Sequence, residues 1–152
     1  MEGGQESPEP QLPEISDQLF KACNDDYRHN AILRTGVTRF FLFSDAYMTA
    51  ALKLFEQLNG DAYLANTLVY PLVFTCRHFL ELRLKELICG LTYATTQSYT
   101  FSKVHNLEVL WPSFVQLLKS VDSDAPVEGE TFEAVHKLIV EFNSIDPQSM
   151  SF

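Results

Sequence analysis

The sequence predicts an all-α, up-and-down bundle of about five helices. Three observations lead there. Apolar residues recur at three- and four-residue spacing over most of the chain, and no stretch of useful length alternates apolar and polar as a half-buried strand would. Gly, Pro and Asn interrupt the pattern at intervals that suit helix ends. With 152 residues, 46% of them hydrophobic and 20% charged, the chain has ordinary globular composition and enough length for one domain with a real core.

The elements follow in order. Residues 1–13 (MEGGQESPEPQLP) hold almost nothing to bury and read as a disordered acidic tail, leaving 14–152 as a single helical domain. From Glu14 to Arg34, Ile15, Leu19, Phe20, Cys23 and Tyr27 mark an amphipathic helix that ends before Thr35-Gly36. Val37 to Leu58 is dense in Phe40, Phe41, Phe43, Tyr47, Met48, Leu54 and Phe55, is too long for a strand, and is closed by Asn59-Gly60. Pro71 is either the first-turn residue of a third helix or a kink within a longer one. The helical pattern then runs to Cys89 and is expected to stop at Gly90. Leu91 to Lys103 lacks a helical period and reads as a loop. His105 to Val121 returns to helical spacing, an acidic Pro/Gly linker reaches Gly129, and Thr131 to Phe142 forms the last helix.

Charge narrows the function classes. Twenty acidic residues against 11 basic ones give a net charge of −9, with residues 1–27 at −6 and the remainder at −3. That balance argues against an extended nucleic-acid surface, which works by neutralising many phosphates, but leaves room for a local basic pocket. Every apolar stretch is interrupted by charge short of the ~20 residues of a membrane span, so no membrane role is expected. Three cysteines without CxxC spacing, behind an acidic Pro-rich N-terminus unlike a secretory leader, read as free thiols in the cytoplasm. The four histidines lack HxxxH or HExxH spacing, and GxSxG, GxxxxGK[ST] and GxGxxG are absent, so neither metal nor cofactor is expected.

Chemistry concentrates on the third helix. With Arg77 at 0° and a step of about 100° per residue, Glu81 falls near 40°, Lys85 near 80° and His78 near 100°. One reading is an i,i+4 salt-bridge ladder on a solvated stripe, favoured by the rule that exposed helix charges are structural. The other is a cationic cleft that receives an anion, with Glu81 orienting Arg77 while Lys85 and His78 face the ligand. His105-Asn106 similarly reads either as a helix start, with Glu108 reaching back, or as a polar group projecting into a shared site. Capping is the favoured reading, and an imidazole near a helix N-terminus is expected to be neutral. Cys76 and Cys89 lie on apolar faces and read as inert. The aromatic series Phe40, Phe41, Phe43 and Tyr47 suits core or an interface with a second chain.

YPLVFTCRHFLELRLKELI (Tyr70–Ile88), followed after a Thr/Ser loop by HNLEVLW (His105–Trp111), resembles a HEPN-type helical domain. Glu81, Leu82, Leu84 and Lys85 match the first element of that pattern, and His105, Asn106, Leu107 and Leu110 match the second. The resemblance implies a dimerising helical bundle of prokaryotic toxin–antitoxin or abortive-infection systems. Active members are metal-independent ribonucleases that use Arg-x4–6-His. In this chain no Arg is followed by His at that spacing, so catalysis is not carried over. The expectation is a non-catalytic HEPN-like module that forms a homodimer and binds a protein, nucleotide or RNA partner. The alternative is a divergent metal-independent ribonuclease, with Arg77, His78 and His105 in a composite polar site that also includes Glu81, Lys85 and Asn106.

Overall fold

Four helices form where the apolar period is strongest, and they account for most of the described residues. The computed structural model describes residues 40–58 and 62–146. They form α1 (Phe40–Glu56), α2 (Ala62–Thr96), α3 (Leu107–Val121) and α4 (Glu130–Ile145), with no strand among the described residues. The expected tail and the helix from Glu14 to Arg34 lie outside the described residues, so the structure bears on four of the five expected helices.

The main correction concerns α2. It is 35 residues long, about 50 Å, and contains both Pro71 and Gly90. Pro71 therefore takes the second of its two expected roles, lying inside a longer helix. The stretch expected to be a loop continues as helix to Thr96, because Leu91 still packs on the core and so rewards another turn. Gly90 is a poor helix former, but it does not stop a helix whose next turn is half-buried. Termination comes at Gln97, which takes the left-handed conformation (φ 57°) while its N–H donates to the Tyr93 carbonyl at 2.8 Å. Tyr93 also stacks on Tyr99 at 4.2 Å, folding the following segment back on the helix end.

α3 starts as its sequence predicts. Asn106 is the N-cap, its side-chain oxygen accepting from the Glu108 N–H at 2.8 Å. Glu108 does not reach back, however; its carboxylate accepts from Asn143 Nδ2 on α4 at 2.8 Å. Asn143 Oδ1 in turn accepts from the Leu107 N–H at 3.2 Å, so α4 helps to cap α3. Pro112 is the sixth residue of α3, past the first turn, so it forgoes the helical hydrogen bond to the Glu108 carbonyl.

The helices pack in chain order: α1 on α2, α2 on α3, α3 on α4. The core joins Leu84 and Ile88 of α2 to Leu107, Leu110, Trp111 and Phe114 of α3 and Ile139 of α4. Phe132, Val135 and Phe142 of α4 close its rim, and Trp111 lies 5.6 Å from both Phe114 and Phe132. No residue of α1 belongs to this cluster. α1 is held on α2 by buried Ala51 and by a polar set: Ser44 Oγ lies 3.0 Å from a Glu86 carboxylate oxygen, and Arg83 bridges Glu86 and Asp45. None of the helices is long and apolar enough to cross a membrane.

Candidate functional site

The charged stripe of α2 lies inside the protein. Arg77 and Glu81 are each 1% exposed and Lys85 6%, which removes the solvated-ladder reading for these three side chains. Their order along the helix is kept: Arg77 Nη1 donates to Glu81 Oε2 at 3.1 Å, and Lys85 Nζ donates to Glu81 Oε1 at 2.9 Å. The acid is thus the hub, flanked one turn away on each side by a cation. Burying ions without such pairing would cost several kcal/mol per charge.

Arg77 has a second task that the helix alone could not reveal. Its Nε donates to the Asp146 backbone carbonyl at 3.0 Å, and its Nη2 to the His105 carbonyl at 2.6 Å. Asp146 is the C-cap of α4, and His105 immediately precedes the α3 N-cap. One planar guanidinium therefore ties the end of α4 and the start of α3 to the middle of α2. Its rigid fork of donors suits this work in a way a lysine would not.

His105 completes the cluster from the loop side. Its Nδ1 lies 2.9 Å from Glu81 Oε1, while the side chain remains 58% exposed. Burial pushes the Glu81 carboxyl up, but the hydrogen bond and charge of Lys85, followed by those of His105, outweigh that and hold it below the usual value. An ionised Glu81 can only accept, so Nδ1 carries the hydrogen and the lone pair of a neutral imidazole falls on Nε2. With its backbone gripped by Arg77 and its ring by Glu81, His105 is held in one orientation.

His78 faces a different neighbour. Its ring meets Tyr47 of α1 edge-on at 4.4 Å and stacks on Phe74 at 5.7 Å. Its Nδ1 is buried, with no hydrogen-bond partner among the described residues. Burial lowers the imidazole below its ordinary value; Glu81 opposes this, while Arg77, Lys85 and His105 reinforce it.

Of the six residues singled out in the sequence, Arg77, Glu81, Lys85 and His105 come together in one bonded cluster. His78 stands at its edge against α1, and Asn106 is spent on capping. Asn143 and Asp146 were missed. They continue the buried spacing of Phe132, Val135 and Ile139 along α4, and polar residues on an apolar stripe are the signal that could have found them. Burial raises the Cys76 thiol above its ordinary value, which suits an inert packing residue. Among the described residues no group of three or more His, Cys, Asp or Glu could hold a metal ion.

Away from this cluster, a surface hollow of about 370 Å³ lies at the α3–α4 turn, lined by Lys119, Asp124 and Glu128 among others. It brings none of the six residues together. No family model, curated protein or solved structure matches the chain, so the arrangement around Arg77 stands on its own geometry.

Proposed function

We propose that the chain is a non-catalytic, HEPN-like helical module that pairs with a second copy in the cytoplasm of a prokaryote. There it presents a surface to a protein, nucleotide or RNA partner in a defence or stress response. The observation that carries this reading is the enclosure of Arg77. Each of its three nitrogens donates to a partner within the protein, Asp146, Glu81 or His105, so the most obvious phosphate clamp faces inward. In this reading the cluster is the clasp of the fold.

The pairing surface is α1. Phe41, Met48, Leu52 and Phe55 are 43–63% exposed and follow the spacing of a coiled-coil seam, seven, four and three residues apart. Asp45 interrupts that seam and is itself paired with Arg83. A stripe of this kind is self-complementary across a two-fold axis. Sedimentation velocity of the full chain at micromolar concentration is expected to show a dimer, and Phe55→Asp a monomer with unchanged helix content. A monomeric wild type would remove the pairing.

One observation favours the ribonuclease reading: a histidine oriented by a buried carboxylate, with Nε2 left to take a proton, is a competent acid/base group. In that reading His105 takes the role and Arg77, bonded to the His105 carbonyl, is a positioning residue. Incubation with a mixed RNA pool in EDTA decides between the two. Cleavage by the wild type that is lost in His105→Ala would replace the binding module with a metal-independent nuclease. Intact RNA with both proteins keeps the module.

A further inference from the structure

We propose that His78 is an acid-sensitive latch that holds α1 on α2 when neutral and loosens it when protonated. The inference rests on the α1–α2 contact alone and is independent of what α1 or His105 binds.

Position comes first. His78 follows Arg77 on α2, and the 100° step between them turns it from the ion cluster toward α1. It therefore stands at the seam between the two, its ring against Tyr47 and Phe74. Neutral imidazole fits that seam as an aromatic ring. With the neutral ring's hydrogen on Nε2, protonation turns Nδ1 into a donor, and no described residue offers it an acceptor.

The charged and titratable groups around the ring set the direction. From α2, Arg77 and Lys85 repel an imidazolium and Glu81 attracts it; from the α2–α3 loop, His105 repels it; from α1, Tyr47 meets it with its ring. The one carboxylate in this set is already bonded to Arg77, Lys85 and His105, so it has no oxygen turned wholly to His78. A proton on His78 is cheapest to accommodate when the ring swings to water, and that movement removes the Tyr47 contact. α1 meets the ring from the other side of the seam, and the main core draws no described residue from it, so the seam can loosen while that core stays closed.

The linkage has a definite sign. A histidine whose folded value lies below its ordinary 6.5 favours the closed seam above 6.5, and that advantage is lost as pH falls below it. Each unit of difference corresponds to a tenfold change in the opening equilibrium.

Hydrogen exchange on the full chain tests the latch. Between pH 7.5 and 5.0, after correction for intrinsic rates, protection of the α1 amides is expected to fall while α3 and α4 change little. His78→Phe keeps an aromatic ring and cannot charge, so its α1 protection is expected to be independent of pH. In parallel, the His78 ring protons of the wild type, followed by NMR, are expected to titrate below 6.5. A wild-type α1 that keeps its protection, an equal loss in His78→Phe, or titration at or above 6.5 would each overturn the latch. Should His78→Phe fail to fold, the ring titration and the wild-type exchange decide the matter without it.

Discussion

The two halves of this molecule use apolar residues in opposite ways. α3, α4 and the second half of α2 enclose theirs: Leu107, Leu110 and Ile139 are at most 2% exposed, and Trp111 and Phe114 9%. α1 and the first turns of α2 display theirs, with Phe55 at 63% and Tyr63 at 77%. Composition hardly separates the halves, since both are rich in Phe and Leu. Packing separates them. In the enclosed half, three helices share one core and one buried ion cluster, whereas α1 packs closely on α2 alone and leaves most of its apolar side chains exposed. A hydrophobic helix is therefore not by itself evidence of a core.

The largest effect expected to sharpen this contrast is at Glu81. Glu81→Gln leaves Arg77 and Lys85 buried with no anion between them and is expected to destabilise the domain by about 3–5 kcal/mol in urea unfolding. Acid should reproduce the loss in the wild type. A carboxyl held below its ordinary 4.5 stabilises the fold above that pH, and the contribution disappears as pH falls through its folded value. The urea midpoints of wild type and Glu81→Gln should then approach each other in acid. Parallel midpoints down to low pH would show that the cluster does not depend on the Glu81 charge.

Truncation of apolar residues gives the next effect and the most direct comparison of the halves. Leu110→Ala, at a 2% exposed position, is expected to cost about 2–5 kcal/mol. Phe55→Ala, for all its lost carbon, is expected to change monomer stability by about 0.5 kcal/mol or less. Equal losses at the two positions would erase the distinction between enclosed and displayed halves.

The smallest effect is at Gly90. A Cβ added there meets nothing within 4 Å, and the residue lies inside α2. Gly90→Ala is expected to raise stability by about 0.5–1 kcal/mol, read as a shift in urea midpoint. A destabilised Gly90→Ala would mean that α2 needs the glycine there, as at a helix end.

Much of this fold was legible along the chain. The spacing of Leu107, Leu110, Trp111 and Phe114 predicts α3, with either His105 or Asn106 as its cap; the helix is present and Asn106 is the residue that caps it. Gly90 and the Thr/Ser-rich segment after it misled, because local propensity is weak beside the burial of Leu91. At the candidate site the order Arg77, Glu81, Lys85 was legible, since i,i+4 spacing brings such side chains together on any helix. Their burial was not. A helical wheel states which residues share a face and says nothing of what covers that face.

The sequence by itself determined the helical class, the α3 cap and the internal pairing of the α2 charges, because each depends on residues within one or two turns of one another. Only the tertiary structure decided that those charges are interior, that Arg77 grips the ends of two other helices, and that Glu81 orients His105. Those facts join residues 24 to 69 positions apart, where chain-local spacing carries no information and the packing of α3 on α2 and of α4 on α3 sets every distance.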